Sequence, residues 1–320
     1  MGFFKGACVS RTVLSLGLAL LVSCVSSKKS DEGVNKPFGE DDQKVHRDPG
    51  DLHVLSYNIC WECMSNNADG TIPNGSAAKL GAACVREGVE SKLTVCGRNV
   101  VNTIEDVEKQ TPLDLVGIQE ASHWRELQEE SFLKNLSHVD FKSADEEIVL
   151  FYNPKKLSLI RAMGGDTEPG RPFQIVLFKG NLVVVNLHMG HHQKSSDSLT
   201  KKLSAVLKEH LTEKELRDLR KDRIIMMGDF NDHTIPPLFR KFRPFSHAGI
   251  STEVSLLHPD ISCCDTKITT QKWNGKKPGD YILDSEKMIS FGVPSTYDRS
   301  IIASDHLPVV ATLESLWVEL

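Results

Sequence analysis

The chain alternates between short, almost wholly apolar runs and polar stretches, and most of the runs stop at a carboxylate, an amide or an imidazole. "LHVLSYNI" (52–59), "DLVGIQE" (114–120), "EIVLFYNP" (147–154), "RIIMMGD" (223–229), "GDYILD" (279–284) and "DHLPVVATL" (305–313) are all of strand length. Runs that are apolar at nearly every position and bounded by Gly, Asn or Pro predict strands buried on both faces. "PFQIVLFKGNLVVVNLHMGHH" (172–192) holds two such runs joined by Lys179-Gly180-Asn181, which predicts a hairpin. Helical periodicity covers Asn99–Val107 and an amphipathic stretch from Leu199 to Arg220. Many short strands with few helices between them predict a two-sheet α/β sandwich with a site along one rim.

The amino terminus departs from this pattern. Lys5 and Arg11 precede an apolar run from Val13 to Val22, the layout of a signal peptide over residues 1–24. The run is short for a membrane span. Leu21-Val22-Ser23-Cys24 resembles a bacterial lipobox, so Cys24 is a candidate lipidated residue, with plain secretion or an uncleaved anchor as the alternatives. Gly2 does not fit the myristoylation pattern, because Gly6 stands where Ser or Thr is required. Residues 25–51 are charged and nearly devoid of apolar side chains, which predicts a disordered tether. The globular domain is expected over 52–320, in the cell envelope or secreted.

Export changes the reading of the cysteines. Cys60, Cys63, Cys84, Cys96, Cys263 and Cys264 remain after Cys8 and Cys24 are set aside, an even set suited to disulfides in an oxidising compartment. Their spacing does not choose the pairing, and zinc is the weaker reading because no histidine follows at finger spacing. A formal charge of −5 gives no general attraction to polyanions, so any nucleic-acid contact needs a local patch.

The strand-end residues are Asn58, Glu120, His188, Asp229, Asn231, Asp280, Asp305 and His306. Singly each is ordinary: an Asp after a strand is usually a cap or turn former, and a His beside apolar residues is usually a satisfied core group. Together they supply hard oxygen ligands for a divalent cation, two imidazoles that exchange protons near neutral pH, and carboxylates to orient them.

The motifs "SYNI", "GIQE", "NLHMGH", "GDFND", "GDYIL" and "SDHLPV", in that order between Leu52 and Leu313, resemble the endonuclease/exonuclease/phosphatase superfamily. The resemblance implies a four-layered α/β sandwich of two mixed, mainly antiparallel sheets flanked by helices. It implies Glu120 as principal metal ligand, with Asn58 beside it and Asp305 at the metal edge, holding Mg²⁺ or, alternatively, Mn²⁺. His306, oriented by Asp280, resembles the histidine that contacts the scissile phosphate and activates water. Asp229 and Asn231 would position water and phosphoryl oxygens. His188 resembles the second histidine of the deoxyribonuclease-like branch, a leaving-group acid with Glu146 as its partner, although adjacent Glu147 leaves that register open. His191 and His192 read as a solvated loop. After Glu120 the chain runs "ASHWRE" without the arginine that resembles a phosphate clamp, and Arg125 is the candidate substitute. The insertion from Cys60 to Cys96 matches no branch.

The implied function is that of an exported, divalent-metal-dependent phosphodiester hydrolase, foremost a nuclease with nucleic acid as substrate. A phosphatase or a lipid phosphodiesterase of the same fold, of inositol phosphate or sphingomyelin type, is the second reading. A non-catalytic surface-binding protein is the third.

Overall fold

The computed structural model describes residues 50–64, 84, 93–144, 146–190, 196–231, 242–257, 260–263, 277–295, 297 and 303–315. The expected signal peptide with Cys24, the tether as far as residue 49, most of the Cys60–Cys96 insertion, His191, His192, Asp232 and His233 lie outside these residues.

In chain order the strands are β1 (Leu52–Asn58), β2 (Leu115–Gln119), β3 (Ser137–Lys142), β4 (Glu147–Tyr152), β5 (Leu159–Glu168), β6 (Arg171–Phe178), β7 (Leu182–His188), β8 (Arg223–Asp229), β9 (Asp280–Asp284), β10 (Met288–Gly292) and β11 (Val309–Leu313). The helices are α1 (Trp61–Met64), α2 (Val95–Gln110), α3 (Trp124–Glu130), α4 (Ser196–His210) and α5 (Glu213–Asp218). One sheet runs β10-β11-β1-β2-β4-β3 and the other β5-β6-β7-β8-β9. Both are mixed and mainly antiparallel, β1 with β2 and β7 with β8 being the parallel pairs among the described residues.

Strand alternation divides the core into three. Side chains i, i+2 and i+4 face one way, so Val54, Leu115, Leu150, Val184, Ile225, Met227, Ile282 and Val309 meet between the sheets. Their neighbours Leu55, Tyr57, Val116 and Ile118 turn outward and pack with Val100 and Ile104 of α2 and Trp124 of α3. On the other side Val183, Val185, Ile224, Met226 and Leu283 pack with Leu199, Leu203 and Leu207 of α4. The result is the four-layered sandwich expected from the sequence, and it explains why β1, β2, β4, β7, β8, β9 and β11 read as continuous apolar runs: both faces of these strands are covered.

Local chemistry sets the boundaries. Thr94 caps α2, its side chain accepting from Gly97 N at 3.0 Å. The stretch 199–220, expected as one helix, is two. Leu211 follows the end of α4 at His210, and Thr212 with Glu215 forms a capping box that starts α5. Gly180 and Asn181, both at positive φ, turn the β6–β7 hairpin where the sequence places it.

Candidate active site

The alternation that builds the inter-sheet core also delivers the site. Asn58 continues the inward series Val54, Ser56. His188 follows Val184 and Asn186, Asp229 follows Ile225 and Met227, and Asp280 precedes Ile282. In register, His188 pairs with Asp229 and Asp229 with Asp280 across neighbouring strands. Four polar side chains therefore reach one rim of the cleft, at the carboxyl ends of β1, β7 and β8 and the amino end of β9. All four are buried.

Two backbone departures complete the rim. Glu120 follows Gln119 and would face α2 by simple alternation, but it adopts φ +55°. Its Oε1 accepts from Asn58 Nδ2 at 3.2 Å, and its Oε2 accepts from Trp61 N at 3.0 Å. Asn231 adopts φ +47°, donating from its backbone N to Asp229 Oδ1 at 2.7 Å and from Nδ2 to Met189 O at 2.7 Å. Left-handed conformations at non-glycine residues cost free energy and gather at functional sites. Gly228, at φ +144°, precedes Asp229, and a Cβ there would lie 1.9 Å from Leu187 O. Thus the sharp glycine of "GDFND" lets β8 lie against β7 at the point where Asp229 enters the site.

Two histidine–carboxylate pairs flank Asp229. His306 Nδ1 contacts Asp280 Oδ2 at 2.9 Å, and its Nε2 lies 3.6 Å from Asp229 Oδ2. His188 Nδ1 pairs with Glu146 Oε1, while its Nε2 lies 3.4 Å from Asp229 Oδ2 and 3.0 Å from Asn231 Nδ2. This resolves the register left open by the sequence. Glu146 is the partner of His188, and Glu147 instead accepts from Trp124 Nε1 at 2.7 Å. Both rings have Nδ1 fixed by a carboxylate, which sets the nitrogen available for proton transfer as Nε2.

Burial opposes charge on both imidazoles, but the surrounding anions prevail. Asp280, Asp229 and Asp305 hold His306 well above the usual histidine range. Hydrogen bonds with Asp229 and Glu146 push His188 up to about 10. Burial raises the Glu120 carboxyl, and nearby Asp305 and Glu146 push it the same way against His188 and His306. Asp229, despite burial, is held below the usual carboxylate range by His306 and His188.

The remaining expected residues fall into place less uniformly. Asp305 sits beside His306, with Ser304 Oγ at 3.5 Å from its Oδ1, and Ser304 ties this loop to β1 by donating to Asn58 O at 2.8 Å. Asn58 offers its amide nitrogen to Glu120 and, at 3.0 Å, to Asp229, while its oxygen accepts from Cys60 N. It thus braces the carboxylates by hydrogen bonds in this arrangement. Arg125 lies over the Trp124 ring, 4.2 Å from its centroid, and 3.8 Å from Asp140. The arginine at the centre is Arg171, which sequence reasoning missed. It donates to Glu146 Oε2 at 3.2 Å and lies 2.8 Å from His188 Nε2. It opens β6 on one sheet while Glu146 precedes β4 on the other, so no local pattern joins them.

The donor set fits a hard divalent cation. Glu120, Asp229 and Asp305 bring carboxylate oxygens to one largely buried rim, where Glu120 carries the destabilisation that a cation relieves. Asp229, Asp280 and His306 also have ligand-type atoms within 4.8 Å of one another. Of these, His306 and Asp280 are already paired.

Comparison with known proteins gives the same architecture. An endonuclease/exonuclease/phosphatase family protein of Bacteroides thetaiotaomicron is 18% identical, with a TM-score of 0.53 over 82% of this chain and 94% of that one. The mannosyl-6-phosphatase Bt3783 of the same species is 18% identical, with a TM-score of 0.52 over 81% and 98%. The chain has the endonuclease/exonuclease/phosphatase fold. In this chain Asn58, Glu120, His188, Asp229, Asp280 and His306 each belong to one of the six motifs. An uncharacterized protein of Acanthamoeba polyphaga mimivirus, L684, is 31% identical over 270 residues, 81% of this chain, and the chain spans about half the length of that relative. No family model matches the chain.

Among the cysteines, Cys60 is bonded to Cys63 and Cys84 to Cys96, and Cys263 is also in a disulfide. The Cys60–Cys63 bond closes the turn directly after Asn58, so the oxidised chain pins the turn whose Trp61 N is bonded to Glu120.

Proposed function

We infer that the chain is a divalent-metal-dependent phosphodiester hydrolase, foremost a nuclease, that works outside the cytoplasm. The observation that carries the reading is the convergence of two histidine–carboxylate pairs on Asp229 and Asn231 next to Glu120. Diester hydrolysis needs one proton removed from water and one delivered to the departing oxygen, and two separately oriented imidazoles supply both. His306, held by Asp280, takes the proton of the attacking water at Nε2 when its ring is neutral. His188, held by Glu146, delivers one to the leaving oxygen from Nε2. The Asn231 amide and Arg171, which lie 3.0 and 2.8 Å from His188 Nε2, would hold phosphoryl oxygens. Glu120, Asp229 and Asp305 would hold Mg²⁺, or Mn²⁺ in its place, which when bound neutralises charge on phosphoryl oxygens and acidifies water.

A phosphomonoesterase or a lipid phosphodiesterase would use the same centre, and the known phosphatase with this fold supports keeping that reading second. The purified full chain, incubated with plasmid DNA, RNA, phosphoinositides and sphingomyelin in Mg²⁺ or in chelator, separates them. Cleavage of DNA or RNA in Mg²⁺ alone supports the nuclease; turnover confined to a monoester or a lipid overturns it. The location is tested separately. Cys24→Ala should move the protein from the detergent phase to the aqueous phase, and unchanged partitioning contradicts a lipid anchor at Cys24.

A further inference from the structure

The exposed large apolar side chains among the described residues are Trp61, Leu159, Ile160, Leu257 and Ile289, and Trp61 is the aromatic one, at 43% exposure. Its position is unlike the others. Trp61 N donates to Glu120 Oε2 at 3.0 Å, so the residue is fixed to the carboxylate that anchors the candidate metal site. Cys60 and Cys63 bracket it with a disulfide, Cys60 stands at φ +57°, and Cys60 N is bonded to Asn58 Oδ1 at 3.0 Å. The backbone of this turn is thereby held at three points, and the tryptophan it carries is 43% exposed.

We propose that Trp61 is a stacking platform for the base next to the scissile phosphate. The proposal rests on the phosphodiesterase reading and deepens it by naming single-stranded or locally unpaired nucleic acid as the substrate class. An indole spans about the same distance from its Cα as one nucleotide step along an extended strand. With Trp61 N 3.0 Å from Glu120 Oε2, a phosphate held at Glu120 would bring the adjoining base to this residue. Every base offers a π-face, so the platform would favour nucleic acid without selecting a sequence. It also supplies locally the affinity that a net charge of −5 does not provide.

The test compares wild type, Trp61→Ala and Trp61→Phe on two oligonucleotides that differ only in whether the nucleotides flanking the scissile phosphate carry bases or are abasic. Stacking is worth about 1–3 kcal/mol per base, equivalent to roughly a 5- to 150-fold change. Trp61→Ala should raise KM on the base-bearing strand by that factor with little change in kcat, and should match wild type on the abasic strand. Trp61→Phe should recover most of the loss. Binding of the fluorescent base-bearing strand to the chelated proteins, read by anisotropy, should weaken by the same factor in Trp61→Ala. Equal losses on both strands, or none on either, overturn the stacking role. If wild type cleaves neither strand and the chelated protein binds neither, the nuclease reading falls together with the platform. A wild type that cleaves both while Trp61→Ala is unaffected removes the platform alone.

Discussion

At the scale of single residues, the two histidines differ in what they face. His306 is held by Asp280 on the second sheet, whereas His188 is held by Glu146 from the first sheet and touched by Arg171. If His306 serves the attacking water, His306→Ala lowers turnover on every diester, by about 10²–10⁴-fold. If His188 serves the leaving oxygen, His188→Ala shows a loss of that order on a natural diester and little loss on a nitrophenyl diester, whose leaving group departs without protonation. Steady-state rates of both variants on both substrates check this, and equal losses throughout contradict the division of labour. The sequence names both histidines but not Arg171, and it leaves Glu146 and Glu147 unresolved. Pairing across two sheets has no local period, and only the packing of β4 against β6 and β7 brings those groups together.

At the scale of the element, β8 carries the closest tolerance in the site. Gly228→Ala places a methyl group against Leu187 O and forces a conformation that costs an L-residue about 1–3 kcal/mol before the clash is counted. The expected result is a lowered denaturation midpoint and loss of activity, because β7 and Asp229 must separate; a variant with unchanged stability contradicts the close approach. Strands buried on both faces were legible because their sequence is an unbroken apolar run. Strands β3 and β5 were not: β3 alternates half-buried with exposed positions, and β5 mixes exposed, half-buried and buried positions without a regular period and carries Gly164 and Gly165. The break between α4 and α5 was visible in principle, since Thr212 and Glu215 have capping-box spacing, but the leucine spacing runs through it.

At the scale of the whole molecule, the six motifs carried the fold because each marks a strand end, and the sandwich gathers strand ends on one rim. The electrostatics of that rim predict how the metal-free protein responds to pH. His188 rises to about 10 from an ordinary 6.5, so it contributes stability fully below about 6.5, and the contribution is lost as pH climbs through about 10. His306 is raised in the same direction. Asp229 is shifted the other way, so its contribution persists at neutral pH and is lost only in strong acid. The chelated protein should therefore melt several degrees lower at pH 10 than at pH 7, and a flat or rising midpoint over that range contradicts the buried imidazolium pairs. The central claim, that these strand ends form a metal-dependent hydrolytic centre built on Glu120, is tested most directly by titrating Mg²⁺ against diester hydrolysis in wild type and Glu120→Gln. Chelator should abolish wild-type turnover, Mg²⁺ should restore it, and Glu120→Gln, folded but one ligand charge poorer, should lose most activity at limiting Mg²⁺. Turnover that survives chelation, or a Glu120→Gln variant that matches wild type at limiting Mg²⁺, contradicts that claim.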